Sequence, residues 1–272
     1  MTPAAQYAQK RAEAVELIRQ HAPPRLQDAL IELLRPAITL QATRADDSQI
    51  PLGASKFGGA PDVPASFEWP RWNDKPSGLL AQINLEEVAP FDVENLLPKS
   101  GVLLFFFFAF DTGYSENEAA RVFHFENEDL IRLTVPEEFD GEDFQSLLPY
   151  TLTPQAEWTT QLPSDSQLTT EEFDQLYSVF FEMFDRPRPR HRLLGWPNEE
   201  QGPIADQCAE FSGDVTLLNL NEDGAEVNGK VEQWRLLFQM DADWKNNGTN
   251  YYMIRRSDLE AANFDDVWFA SE

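Results

Sequence analysis

The apolar positions at the start of the chain recur at helical spacing. Residues 3–21 are rich in Ala, Glu, Gln and Arg, which are good helix formers, and they carry a modest apolar stripe. After Pro23 and Pro24, leucines recur at helical spacing until Pro36 ends the pattern. The pattern predicts a helical hairpin over residues 1–36 that packs on the main domain.

Beyond residue 36, apolar residues alternate or cluster as they do in strands. The pattern predicts strands at 38–42, 102–110, 121–126, 130–135 and 215–220. The uninterrupted phenylalanines within 102–110 indicate a central strand covered on both faces. The spacing of these segments favours an antiparallel sheet.

One pattern occurs twice in the predicted sheet. Residues 79–85 have the sequence LLAQINL and residues 236–242 the sequence LLFQMDA, and each copy is followed by a turn glycine and another apolar strand. Strict alternation puts the odd-numbered residues of the first copy on one face and Gln82 on the other. In the second copy, the even-numbered residues from Trp234 onward form the apolar face, with Gln239 opposite.

Two further helices are predicted in the second part of the chain. Thr169 and Glu172 can form a capping box, and apolar residues follow them at helical spacing. A shorter helix is predicted from Ser257, with Glu260 placed for the same reciprocal cap.

These elements predict an α+β fold with an N-terminal helical pair and a mid-chain amphipathic helix. The sheet is mainly antiparallel and is built from two pseudo-repeated halves. Residues 37–272 then form one domain, with halves at 37–165 and 166–272. An insertion separates the copies, because the spacing of their motifs is not constant.

The chain is strongly acidic. It has 47 acidic and 21 basic side chains, which give a formal net charge of −26. This charge opposes binding to nucleic acid or to an anionic membrane surface, and it attracts a cationic protein partner. The alternative is that the charge serves only to keep the protein soluble.

The cysteine count and the first residues favour the cytoplasm. Cys208 is the single cysteine, so no intrachain disulfide can form, as is usual in a reducing compartment. The first residues lack the basic end and long apolar stretch of a signal peptide. The run at 102–110 has about half the length of a membrane-spanning helix.

Two sets of residues are candidates for binding. Buried loop amides left unpaired cost about 1–3 kcal/mol, so a structural role in tying loops to the sheet is favoured for the repeated glutamines. The alternative is a ligand groove lined by Trp69, Trp72, Gln82, Arg190, His191 and Gln239. Arginine forks suit carboxylate or phosphate, so a candidate anion site consists of Arg186, Arg188, Arg190 and Arg192. These arginines could instead pair with nearby acidic side chains.

No complete catalytic, metal or cofactor site is predicted. His191 could act as a base and Cys208 as a nucleophile, but nothing in the sequence places them in contact. Lys56 precedes Gly58 and Gly59, which is not the order of a phosphate-binding loop. The acidic stretch at 241–248 lacks the ligand pattern of a calcium loop.

Several separated motifs resemble the YwqG-like family. They are SKFGG at 55–59 with the prolines that follow it, Trp69-Pro70, QINL at 82–85, Leu97-Pro98 with Gly101, and the segment 191–197. The resemblance spans roughly residues 37–270 and implies an α+β fold with no assigned biochemical activity. Relatives in bacterial toxin and immunity contexts imply a candidate immunity role.

These observations predict a non-enzymatic cytoplasmic binding protein. Its acidic surface would bind a basic protein partner, as an immunity-type factor does. The alternative is a small-ligand-binding module or a hydrolase with a pocket between the two halves. The sequence leaves the oligomeric state open.

Overall fold

The computed structural model describes residues 1–72, 74–107, 120–126, 129–140, 148–161, 168–184, 190–199, 201–214, 230–241 and 248–272. Its α-helices are α1 (Pro3–His21), α2 (Gln27–Glu32), α3 (Leu85–Val88), α4 (Thr170–Phe184), α5 (Ile204–Phe211) and α6 (Arg256–Glu260). Short 3₁₀ helices occur at Pro24–Leu26, Asp47–Gln49 and Glu137–Asp140. Among the described residues, no helix combines the length and apolar character needed to cross a membrane.

The N-terminal helical pair is confirmed. The Thr2 hydroxyl caps α1 by accepting the Ala5 amide at 3.3 Å. The apolar stripe of α1 packs with α2 and with Leu176 of α4 in one cluster. The Tyr7 hydroxyl donates to the Ala37 carbonyl at 2.7 Å, which anchors α1 to the sheet.

Ten strands form one antiparallel sheet in the order β14-β13-β12-β11-β1-β10-β2-β6-β7-β8, which confirms the predicted fold class. Two small sheets pair β3 with β9 and β4 with β5. The strands are β1 (Arg35–Arg44), β2 (Lys56–Phe57), β3 (Asp62–Pro64), β4 (Arg71–Trp72), β5 (Lys75–Pro76), β6 (Gly78–Asn84), β7 (Val102–Phe107), β8 (Ala120–Phe125), β9 (Leu130–Arg132), β10 (Tyr150–Thr159), β11 (Arg192–Leu193), β12 (Trp234–Asp241), β13 (Thr249–Arg255) and β14 (Trp268–Ser271).

The strand order has a two-fold pattern about the central β1–β10 pair. The first arm, β2-β6-β7-β8, adjoins β10, and the second arm, β11-β12-β13-β14, adjoins β1. Ile38 of β1 faces Leu193, as Tyr150 of β10 faces Phe57, so β1 and β10 hold equivalent positions. By pairing, β10 groups with the first arm, whereas β1 groups with the second arm although it precedes residue 165. The division at 165/166 stays a prediction.

The core lies between the inner faces of the two arms. Phe105 of the first arm contacts Phe238 and Tyr252 of the second, with ring centroids 4.6 and 5.1 Å apart. Phe107 stacks on Phe269 at 4.2 Å. Because aromatic rings of both arms interleave, the large sheet is curved and each arm covers the other.

Matching bulges correct the predicted strand faces. The register shifts between Leu79 and Ala81 in β6, and between Leu236 and Phe238 in β12. Leu79 and Leu236 therefore pack on the outer face, whereas the later apolar residues of each strand pack in the inner core. Strict alternation was wrong here because a bulge places two residues of one strand opposite one of its partner.

The other predicted elements have mixed outcomes. The capping box of α4 is confirmed, since Glu172 accepts the Thr169 amide at 2.9 Å. The predicted cap of the last helix was wrong, because Glu260 instead pairs with Arg256 at 2.7 Å. The first strand extends well beyond the predicted 38–42. The predicted strand at 215–220 lies outside the described residues.

β10, a central strand that contains Pro154, was not predicted from the sequence. Pro154 faces Leu40 of β1, and the Leu40 amide donates instead to the His191 carbonyl on its other side at 2.9 Å. Pro154 thus occupies a non-hydrogen-bonded pair with β1. On its other side, β10 pairs with β2 only at Tyr150 and Thr151, so that pairing does not reach Pro154. No ladder bond is lost at the proline, so the strand tolerates it.

Candidate functional site

Gln82 fastens a glycine turn to the first arm of the sheet. It is fully buried opposite Lys56 on the neighbouring strand. Its Oε1 accepts the Asp62 amide at 2.7 Å, and its Nε2 donates to the Ala54 carbonyl at 2.9 Å. We call Lys56, Gln82 and the turn 58–62 the first latch.

Gln239 makes the corresponding contacts in the second arm. It is fully buried opposite Arg192. Its Oε1 accepts the Asn198 amide at 2.8 Å, and its Nε2 donates to the Arg190 carbonyl at 3.2 Å. We call Arg192, Gln239 and the turn 194–198 the second latch.

The two latches share their backbone geometry. Gly58 and Gly59 have φ of 57° and 69°, and Leu194 and Gly195 have φ of 60° and 73°. A side chain at Gly59 would collide with Asp47, whose carboxylate accepts the next amide in the turn. Glycine is favoured there because a left-handed backbone strains other residues and because Asp47 lies where a Cβ would be.

The cations of the latches cap the turns in the same way. The Lys56 ammonium donates to the Ala60 carbonyl. The Arg192 guanidinium donates to the Trp196 carbonyl at 3.1 Å. Each cation thus bonds to the carbonyl four residues further along, and each side chain is buried. The repeated contacts assign both cations a structural role.

The first latch holds a buried charge network. Lys56 Nζ lies 3.0 Å from Asp47 Oδ1, and Arg132 Nε lies 2.7 Å from Asp62 Oδ1. Burial by itself raises the pKa of Asp62. Hydrogen bonds from Arg132, Gln82 and the Gly53 amide, together with the Lys56 charge, outweigh it and lower that pKa. Asp62 is therefore held as a carboxylate.

Residues 55–272 match the family model described as Domain of unknown function (DUF1963). This chain belongs to the DUF1963 family. Both latches lie within the match, whereas the N-terminal helices and β1 lie before it. A comparison with curated proteins finds no match.

The structure distributes the predicted groove residues over both arms of the DUF1963 protein. Gln82 lies on β6 and Gln239 on β12, with β2, β10, β1 and β11 between them in the sheet. Trp69 packs on Phe106 in the first arm and donates its indole N–H to Ser77 at 2.8 Å. The Trp72 side chain lies outside the described part of the chain.

The remaining groove candidates lie close together near the second latch. The Arg190 side chain donates to Asn198 at 3.2 Å, and its backbone amide donates to Asp241 at 2.7 Å. His191 is buried on the inner face, with its ring centroid 4.6 Å from that of Phe57. A single groove lined by all six residues stays a prediction, and these contacts support the structural interpretation.

The predicted anion site is only partly described. Arg186 and Arg188 lie outside the described residues. Arg190 points toward the second-latch turn, where it bonds to Asn198. Arg192 is buried and lies 3.4 Å from the Glu157 carboxylate, so its charge is used inside the fold.

The residues considered for thiol chemistry lie on opposite faces of the sheet. Cys208 belongs to the cluster that α5 forms with the outer face of the second arm, whereas His191 contacts the inner-face residue Phe57. Burial raises the pKa of the Cys208 thiol well above its usual range. In the part of the chain that the structure describes, no group of three or more His, Cys, Asp or Glu side chains could hold a metal ion.

The repeat also includes the turns, which was not predicted from the sequence. Residues 56–62 have the sequence KFGGAPD, and residues 192–198 have RLLGWPN. Alignment on the basic residue, the second glycine position and the proline would have revealed the second part of each latch.

Proposed function

We propose that this DUF1963 protein is a non-enzymatic, cytoplasmic binding protein of the YwqG-like kind. In this role it recognises a basic protein partner through its acidic surface, as an immunity-type factor. The observation that carries the proposal is the net charge of −26. A field of this sign accelerates the encounter with a cationic partner and repels nucleic acid and anionic lipid.

The use of the polar latch residues supports a binding role over a catalytic one. The side chains of Gln82 and Gln239 form hydrogen bonds with loop amides and carbonyls. Those of Lys56 and Arg192 donate to turn carbonyls. Groups that hold the fold in this way are not free to move protons or bind substrate.

One acidic cluster is suited to be part of the binding surface. Glu126, Asp265 and Asp266 are exposed and lie within two residues of a ring contact between His124 and Phe264, whose centroids are 5.8 Å apart. We call these three carboxylates the acidic rim. A cationic partner seated there would contact both arms of the sheet.

Association with the protein encoded by the neighbouring gene tests the proposal. We expect affinity to fall as ionic strength rises from about 0.01 M to about 0.15 M, because the Debye length shrinks from about 30 Å to about 8 Å. A polylysine peptide measures non-specific attraction. The absence of binding at the lowest ionic strength would contradict the proposed partner.

A charge-matched pair of variants localises the surface. Replacing Glu126, Asp265 and Asp266 by their amides should weaken binding much more than replacing Glu13, Glu16 and Glu32 by glutamine. All six side chains belong to exposed residues, and both variants remove the same charge. Equal losses in the two variants would show that only net charge matters and would remove the acidic rim from the proposal.

A further inference from the structure

A cavity lined by three arginines lies beside the second latch. Its volume is about 160 Å³, and Arg35, Arg235 and Arg256 line it together with Glu94. The arginines come from the start of β1, the start of β12 and the start of α6. Three convergent guanidinium groups are notable in a chain in which acidic residues outnumber basic ones by more than two to one.

The contacts of Arg35 and Arg235 leave much of their charge uncompensated. Arg35 lies over the Trp196 ring, with Cζ 3.2 Å from the centroid. Arg235 donates to the carbonyls of Glu232 and Trp234 at 2.7 and 3.3 Å. Across the described residues, neither guanidinium forms an ion pair within 4.0 Å, whereas Arg256 pairs with exposed Glu260.

Burial and mutual repulsion make this arrangement costly without a bound anion. Burial, and then the charge of Arg235, lower the pKa of Arg35 to about 9, although Glu94 and Glu232 oppose the shift. Burial and the charge of Arg256 likewise lower the pKa of Arg235. Like charges brought together in a partly buried site favour binding of an opposite charge.

The first latch has neither an arginine nor a tryptophan at the positions that correspond to Arg235 and Trp196. Arg235 and Gly78 each lie four residues before the latch glutamine, and Trp196 and Ala60 each lie four residues after the latch cation. The first latch therefore makes the same backbone contacts without the arginine and the tryptophan. The side chains of Arg235 and Trp196 are therefore not needed to hold a latch turn.

The platform under Arg35 is fixed before any ligand binds. The Trp196 indole N–H donates to the Leu33 carbonyl at 2.7 Å, and the Trp196 amide donates to Thr159 Oγ1 at 2.8 Å. Leu96, Leu194 and Leu259 supply an apolar wall to the same cavity. The planar guanidinium of Arg35, stacked on the Trp196 ring, presents its N–H donors in one orientation. Such paired donors suit an oxyanion.

We propose that Arg35, Arg235 and Arg256 form a binding site for a small oxyanion, a phosphate or carboxylate group carried on a compact molecule with a short apolar part. The arginines bind the oxyanion, and the leucines contact the apolar part. Glu94 at the cavity wall disfavours a second negative charge beside it. The site is independent of the cationic partner proposed above.

Phosphate-dependent stability of the full chain tests the site. Inorganic phosphate should raise the thermal unfolding midpoint of the wild-type protein above that in chloride at equal ionic strength and pH. Calorimetric titration should give saturable binding. In Arg35→Gln and Arg235→Gln, the apparent affinity should fall by at least about tenfold.

The control is Arg71→Gln, which removes the same charge from a side chain whose ion pair with Glu138 is exposed to solvent. This variant should keep the wild-type response to phosphate. If an Arg35 or Arg235 variant does not fold, Arg256→Gln at the exposed side of the cavity replaces it, and it too should bind phosphate more weakly. Acetate and methyl phosphate distinguish carboxylate from phosphate ligands.

Two outcomes would overturn the proposal. One is that phosphate and chloride give the same midpoint for the wild-type protein, which would show only ionic screening. The other is that the cavity variants and Arg71→Gln respond equally to phosphate. Neither outcome bears on binding of a basic protein, so failure here leaves the partner proposal to its own test.

Discussion

At the scale of single residues, the two buried glutamines explain how irregular turns remain attached to a regular sheet. Each side chain accepts one turn amide and donates to a carbonyl that precedes the short strand. Their position in apolar strands could be predicted from the sequence. The identity of the groups they hold could not, because those groups depend on a left-handed turn with no local hydrophobic pattern.

Removal of either glutamine should destabilise the fold without a change in shape. We expect Gln82→Ala and Gln239→Ala each to lower the free energy of unfolding by about 2 kcal/mol, since each leaves buried amide and carbonyl groups unpaired. Urea unfolding measures the loss. Gln41→Ala is the control and should have little effect, because it removes an exposed side chain whose Oε1 accepts a hydrogen bond from Gln155.

The carboxylate of Asp62 should make stability depend on acid pH. Its pKa in the folded protein is lowered, so its contribution is present above the ordinary value of about 4 and is lost as pH falls through the lowered value. We expect Asp62→Asn to be less stable than wild type at pH 7. The gap should narrow below about pH 4. Urea unfolding measures the difference in free energy of unfolding between the two proteins. A difference that stays constant across this pH range would contradict a stabilising role for the charge of Asp62.

At the scale of elements, bulges and turns decide what strict periodicity does not. The bulges in β6 and β12 occur at equivalent sites, so they are part of the repeat. A bulge depends on pairing with a neighbouring strand and leaves no signal in the alternation of a single strand. β10 was missed for a similar reason, because the proline is tolerated only where its neighbours make no ladder bond to it.

Alanine substitutions at two glycines distinguish the destabilisation caused by backbone strain from that caused by a steric clash. Gly59 and Gly213 both have positive φ, of 69° and 80°, but a Cβ would strike Asp47 only at Gly59. Gly213→Ala should lower the free energy of unfolding by about 1 kcal/mol, because alanine is strained in the left-handed backbone conformation. We expect Gly59→Ala to cost at least about twice as much, as measured by urea unfolding. Equal costs would show that Asp47 moves aside freely.

At the scale of the whole molecule, the two arms share one core. The Tyr252 hydroxyl donates to the Phe106 carbonyl at 3.1 Å, and the surrounding rings come from both arms. Cys208 and the helix that carries it cover the outer face of one arm. Neither arm buries its inner face alone, so we expect them to unfold together.

Tyr252→Phe tests this coupling. It removes one buried hydrogen bond and little volume, so the free energy of unfolding should fall by about 1 kcal/mol. Tryptophan fluorescence and far-ultraviolet circular dichroism should still report one coincident transition. Two separated transitions, in either the variant or the wild type, would contradict a shared core. Tyr177→Phe, at an exposed position on α4, is the control.

The N-terminal helical pair, the capped mid-chain helix, the phenylalanine-rich strand, the repeated glutamine strands and the net charge could all be derived from the sequence. These follow from periodicity, capping residues and composition, which are local or additive. The bulges, the two-fold strand order and the convergence of Arg35, Arg235 and Arg256 became visible only in the folded protein. They depend on pairing and packing between residues far apart in the chain, which leave no periodic trace in any one segment.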